Sequence, residues 1–228
     1  SRTVPFIAKV LGKPLAKIAT KIMLGNKINS MDLKEININH FAIKEAVFPF
    51  KRFTGVDTIL GPEMRSTGEV MGIDRDFGMA FAKSQIGSGS RIPTEGSVFV
   101  SVKDSDKDKI LNPVSDLFSL GFDIYATHGT AEFLNNNNIQ TKKINKVLQG
   151  SPHIVEMISE KKISLVLNTT ETPQAIKDSK SIRRSALESE TPYYTTVSGA
   201  NAVVMAIKAI KNNEISIKTI QSFGQLLS

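Results

Sequence analysis

From residue 98 onward, short β-rich runs alternate with helical stretches about five times in 131 residues. That repeat limits the fold more than any other feature of the chain. Residues 98–102 (VFVSV) read as a strand. A helix follows, opened at Asn112-Pro113, because Asn caps and Pro suits the first helical position, and closed by Gly121. Strands are then expected at residues 122–127, 139–144, 163–167 (ISLVL) and 193–197, with ISLVL apolar enough to be buried on both faces. Helices are expected around residues 131–134, 153–160, 173–189 and 200–211, the Asn tract at 135–138 ending the first of them. Alternation of this kind predicts an α/β fold in which a doubly wound parallel sheet carries helices on both faces.

The repeat is preceded by residues 84–97 (SQIGSGSRIPTEGS), whose three Gly, one Pro and four Ser read as a loop or linker. Ahead of it the rhythm is irregular. Residues 5–24 carry a helical apolar stripe interrupted at 12–14, with Lys13, Lys17 and Lys21 on the opposite face. Residues 47–50 are strand-like, 54–72 are glycine-rich and more turn than element, and 77–85 form a short helix. Residues 1–97 therefore read as the tail of a mixed α+β domain, and residues 98–228 as a separate unit. With no Met at position 1 and no signal-peptide pattern, the chain is expected to be a piece of something longer.

Composition narrows the chemistry. With no cysteine, a disulfide scaffold, a thiolate metal site and a Cys nucleophile are excluded, and a reducing, cytoplasmic setting is expected. Three scattered histidines (His40, His128, His153) argue against a His-rich metal site. No apolar run approaches the ~20 residues that span a bilayer, so no membrane partner is expected. The net charge of +7 divides into +5 for residues 1–97 and +2 for 98–228. It admits phosphorylated metabolites, an acidic partner or nucleic acid. The basic residues cluster only in pairs such as Lys51-Arg52, Lys142-Lys143 and Arg183-Arg184, without a dense stripe or interleaved aromatics, so nucleic acid is not expected.

Open α/β sheets bind ligands beyond the carboxyl ends of their strands. There the sequence places Ala126-Thr127-His128-Gly129-Thr130, then Asn168-Thr169-Thr170, then Thr195-Thr196-Val197-Ser198-Gly199. Hydroxyls, a Gly permitting close backbone approach and a helix N-terminus together make an anion cradle. The alternative for any one cluster is that Thr and Asn merely cap the next helix. Three clusters at successive strand ends favour a phosphate-bearing ligand, with Lys107, Lys146 and Arg183-Arg184 available for charge. No nucleophile, base and orienting group are legible as a set, and residues 145–155 contain no Asp or Glu. Phosphate binding without evident catalytic or metal-binding groups points to regulation.

The strings SRTVPF, KEAVFPF, GPEMRSTGEVMG, ATHGTA, NKV, LNTT, SIRRSAL and YTT, in this order, resemble the C-terminal portion of the carbamoyl-phosphate synthase large chain across all 228 residues. GPEMRSTGEVMG is the most specific of them. The resemblance implies that residues 1–97 are the end of the second ATP-grasp synthetase unit and 98–228 a methylglyoxal-synthase-like allosteric domain. It implies an enzyme that makes carbamoyl phosphate from bicarbonate, ammonia and two ATP, with Mg or Mn. It also implies a glutaminase small chain as partner and assembly through the allosteric domain. The metal ligands and nucleotide clefts of that enzyme would lie upstream, so these residues alone are expected not to catalyse it. A nucleotide effector, UMP or IMP, would bind at Lys107, Thr127, Thr130, Lys146, Asn168, Thr169 and Thr170, with Ser101 nearby. An ornithine-type effector would use Glu45, Phe48 and Thr195. Phe48 and Tyr194 replace the usual Leu and Asp, and the lost carboxylate should weaken capture of a cation. The Glu45–Thr195 contact is expected to couple the two halves. Two other readings compete: a free-standing methylglyoxal-synthase-type lyase, and a basic nucleic-acid-binding module.

Overall fold

The computed structural model describes residues 3–31, 33, 36–47, 68–145, 150–170 and 179–225. Helices α1 (Thr3–Leu11) and α2 (Leu15–Met23) are separated where Gly12 takes a φ of 64° and Pro14 precedes the second helix. Strands β1 (Phe41–Val47) and β2 (Gly68–Asp74) pair antiparallel, Phe41 opposite Asp74 and Val47 opposite Gly68. Helix α3 (Phe77–Gly87) follows, its first turn capped by the Asp76 carboxylate, which accepts from the Met79 amide at 2.8 Å.

Small residues let α3 pack closely on two sides. A Cβ at Gly72 in β2 would lie 2.0 Å from the Ala80 carbonyl oxygen, and one at Gly78 would lie 2.4 Å from the Met205 carbonyl oxygen. Ala80, Ala82 and Ser84 are fully buried along the same helix. Lys83 reaches Asp74 at 2.6 Å and ties the helix back to β2.

Three sequence expectations change here. The glycine-rich stretch read as turn becomes strand from Gly68, because Gly72 is required under α3 rather than in a bend. The strand expected at 47–50 is instead Phe41–Val47, and residues 48–50 lie outside the described part, as do 54–67. The presumed loop at 84–97 begins as the last turn of α3; only residues 88–96 are irregular.

The remaining strands are β3 (Ser97–Ser101), β4 (Asp123–Ala126), β5 (Thr141–Lys143), β6 (Leu165–Asn168) and β7 (Tyr193–Tyr194). They form one parallel sheet in the order β5-β4-β3-β6-β7. The chain winds outward from β3 to β5, then returns to the other side of β3 for β6 and β7. Helices α4 (Lys107–Ser119), α5 (His128–Asn136), α6 (Ile154–Ser159), α7 (Lys180–Glu188) and α8 (Val197–Asn212) complete the α/β fold. A last helix, α9 (Ile220–Gln225), returns to α1 and sets Phe223 against the His40 ring at 5.6 Å between centroids.

Alternation along the strands divides the core. Val98, Val100, Leu165 and Leu167 join Ile110, Leu117, Leu134, Val203 and Ile207 on one face. Phe99 and Val166 join Ile154, Ile158 and Ile182 on the other. Burying one such side chain fully is worth roughly 1.5–3 kcal/mol, so both layers hold the central strand.

Several boundaries differ from the sequence reading. Helix α4 starts at Lys107, after a 3-10 turn at Asp104–Asp106, and Pro113 lies inside it, fully packed. An interior Pro removes one helical bond, at a cost of about 3 kcal/mol, and the buried face formed by Ile110, Val114 and Leu117 opposes that cost. The edge strands are short: β5 covers 141–143 of the expected 139–144, and β7 covers 193–194 of 193–197. Thr196 caps α8 through the Gly199 amide at 3.0 Å, so Val197 belongs to the helix. Of the helix expected at 173–189, Lys180–Glu188 is observed; residues 171–178 lie outside the described part.

Candidate functional site

The winding direction reverses between β3 and β6, and this is where doubly wound sheets open a ligand crevice. Ser101, the last residue of β3, pairs in register with Asn168, the last of β6. Thr127 follows β4 on the other side of β3. Beside this point, between the segments that follow β3 and β4, opens a cleft of about 240 Å³ lined by Val102, Asp104, Lys107, Thr127, His128, Gly129 and Thr130.

The first turn of α5 gives the cleft its character. At α3 and α8 the residue before the helix caps it, as the alternative reading of strand-end Thr requires. At α5 it does not: Thr127 precedes the helix and makes no side-chain cap bond. Its hydroxyl instead lies 3.3 Å from Ser101 Oγ and 3.4 Å from Thr130 Oγ1. Among the described residues, the amides of His128, Gly129 and Thr130 therefore meet neither a helical acceptor nor a capping oxygen, and they carry the positive end of the helix dipole. Thr130 Oγ1 accepts from the Val102 amide at 3.4 Å, and Thr169 Oγ1 accepts from the Lys103 amide at 3.2 Å. An oxygen used as acceptor keeps its own proton to donate. The wall is thus rich in donors.

Lys107 supplies the charge. It opens α4, and its ammonium lies 3.6 Å from where a Cβ on Gly129 would stand. Its partner is Asp104, 2.7 Å away. The hydrogen bond from Lys107, and then its charge, hold the Asp104 carboxyl below its ordinary value. Behind this wall, buried Asn168 donates to the Tyr193 hydroxyl at 2.7 Å, which fixes the amide's orientation.

The structure thus brings Ser101, Lys107, Thr127, Thr130, Asn168 and Thr169 to adjacent strand ends, with Thr170 next in chain. Lys146 and Phe48 lie outside the described residues. Arg184 pairs with Glu188 on the surface at 2.8 Å. His128 is exposed and 4.0 Å from Glu132. Asp104 and Tyr193 escaped the sequence reading; proximity of Asp104 to Lys107 at i,i+3 was the available signal.

Glu45 and Thr195 do not form the expected contact: among the described residues no hydrogen bond joins them. Glu45 accepts from Gln85 Nε2 at 3.0 Å, and Gln85 Oε1 accepts from the Tyr194 hydroxyl at 3.1 Å. A polar relay through α3 takes the place of a direct contact because Gln85, 6% exposed, sits between β1 and β7. Burial raises the Glu45 carboxyl above its ordinary value, and the Gln85 bond opposes this in part. Burial, then the Glu45 charge, also raises the Tyr194 phenol.

A raised carboxyl is destabilised when ionised, so its contribution is most favourable below the unfolded value near 4.5 and is lost as pH rises through the folded value. Glu45→Gln, which keeps an acceptor for Gln85, is therefore expected to raise the melting temperature at pH 7 and to leave it nearly unchanged at pH 4. Melting curves at both values check this; an equal shift at both would contradict it.

Among the described residues, no group of three His, Asp or Glu is placed to hold a metal ion. No described helix is long and apolar enough to cross a membrane.

Comparison with known proteins gives a consistent picture. Residues 109–195 match the family model of the MGS-like domain. The carbamoyl phosphate synthase large chain of Rhizobium meliloti (strain 1021) is 50% identical over 229 residues, covering 98% of this chain and 20% of the relative. That of Mesorhizobium japonicum is 52% identical, with the same coverage. That of Methanobrevibacter smithii is 51% identical over 221 residues, 96% of this chain and 21% of the relative. The chain spans about a fifth of the length of the curated relatives it matches. Among solved structures, methylglyoxal synthase from Elizabethkingia anophelis NUHP1 aligns with a TM-score of 0.39 and 16% identity, over 50% of this chain and 79% of that one.

Proposed function

We propose, from the homology of this chain to carbamoyl phosphate synthase large chains and its MGS-like domain, that it forms the regulatory C-terminal part of such a large chain. In this reading the complete large chain is a ligase that makes carbamoyl phosphate from bicarbonate, glutamine-derived ammonia and two ATP, for pyrimidine and arginine synthesis. A glutaminase small chain is its partner, and the cytoplasm its setting. ATP with Mg or Mn would serve parts of the large chain beyond these residues. The described residues offer no cluster suited to a divalent cation.

The role of this part is to bind a nucleotide effector such as UMP or IMP. The observation that carries the reading is the uncapped first turn of α5 facing Lys107 and the strand-end hydroxyls beside the switch point. Phosphate oxygens would accept from the His128–Thr130 amides, from Lys107 and from the Thr130 and Thr169 hydroxyls. Each charge-assisted bond contributes roughly 1.5–3 kcal/mol. Four to six of them, against an association cost of about 4–15 kcal/mol, leave micromolar-to-millimolar affinity. Glu45 is already bonded to Gln85, and the relay ends at Tyr194, which supports a nucleotide over a cationic effector. The lyase reading lacks a free carboxylate: on the described cleft wall the carboxylate is Asp104, engaged with Lys107.

Calorimetric titration of UMP and IMP alongside uridine and inosine tests the proposal. Saturable binding by a nucleotide but not by its nucleoside is the expected result. Equal binding of nucleotide and nucleoside, or no binding of either nucleotide, would overturn it.

A further inference from the structure

We propose that Asp104 is a built-in counterion for Lys107 that an incoming phosphate must displace, so that this residue sets the affinity of the cleft. The inference rests on the cleft being an anion site. Lys107 stands at the first position of α4, and its ammonium reaches the first turn of α5. Both helix ends carry positive partial charge, where a cation is disfavoured and an anion is favoured. The side chain found in that position of need is Asp104, whose Oδ1 lies 2.7 Å from Lys107 Nζ.

Its placement suits a removable ligand. Asp104 begins the 3-10 turn that leads from β3 into α4, and its side chain is 93% exposed while Lys107's is 23% exposed. The carboxylate can turn outward into water without uncovering any apolar surface, whereas Lys107 stays. Two anions on one ammonium repel each other. A phosphate oxygen on Lys107 therefore excludes Asp104 from it, and Asp104 takes part of the binding free energy from every anion that enters. The lowered carboxyl of Asp104 fits this pairing, since it keeps the counterion ionised wherever a phosphate would also be charged.

Titrations of UMP and of inorganic phosphate into the full chain, with Asp104→Asn and Asp108→Asn, test this. Asp108 is an exposed acid in the same first turn of α4, so its variant removes the same charge without freeing Lys107. Asp104→Asn is expected to tighten both ligands about two- to fivefold, the range set by a solvent-exposed ion pair, and Asp108→Asn to change affinity less than twofold. An unchanged or weaker Asp104→Asn, or equal gains in the two variants, would overturn the counterion role while leaving the anion site standing. No binding of UMP or phosphate by any of the three proteins would overturn the site and the counterion role together.

Discussion

Lys107→Ala is expected to weaken UMP binding about 10- to 150-fold, the equivalent of one charge-assisted hydrogen bond of roughly 1.5–3 kcal/mol. Lys107 is the described cation on the cleft wall, and its ammonium lies beside the Gly129 backbone rather than out in solvent. The loss should appear in affinity and not in the fold. Removing a cation from the first turn of α4 relieves an unfavourable interaction with the helix dipole, so the unliganded melting temperature should hold or rise slightly. Titration and melting of the same preparation separate the two quantities. Wild-type affinity in Lys107→Ala would place the phosphate elsewhere.

Gly78→Ala is expected to have the largest effect on stability. Its methyl group would stand 2.4 Å from the Met205 carbonyl oxygen and 2.7 Å from the carbonyl carbon, both backbone atoms that no rotamer change can move. Helix α3 would have to lift from α8. Overpacking of this kind costs about 1–3 kcal/mol, occasionally more, partly offset by up to about 1 kcal/mol of helix propensity. A net loss near 2 kcal/mol corresponds to a fall in melting temperature of about 4–8 °C for a chain of this length. Gly87→Ala in the same helix meets only Val70 side-chain atoms at 3.5 Å or more, so it should leave the melting temperature within a degree or two. Similar behaviour of the two variants would show that α3 tolerates a larger gap than the structure gives it.

The central sheet was legible because its middle strands, β3 and β6, are buried on both faces. VFVSV and ISLVL carry that burial as apolar runs broken by a single Ser each, and the doubly wound order follows from their alternation with helices. The meeting of the strand-end hydroxyls was legible for a related reason: parallel strands deliver their following residues to one edge, so Thr127 and Asn168-Thr169 had to come close to Ser101. Pairings across distant segments carry no such signal. Gln85 meets Tyr194 109 residues later, and Asn168 meets Tyr193 25 residues later. Nothing local marks those partners. Gly72 misled because a glycine needed for close approach of α3 looks the same as one needed for a turn. Pro113 misled because a strong local preference for the first turn yielded to packing of the helix face around it.

The position of α3 also bears on how such a chain can be cut and recombined. One side of the helix is pressed against β2 and the other against α8, and its Gln85 side chain joins Glu45 to Tyr194. A chimera spliced at the start of β3 would take α8 without the helix that covers it and would cut the relay at its middle residue. A splice at Asp76, the residue that caps α3, moves helix and sheet as one block and keeps Gln85 with Tyr194, while the recipient must supply the Glu45 partner and the β2 surface beneath α3. A transplant of the parallel sheet into another chain would thus need to carry the twenty residues from 77 to 96 along with it.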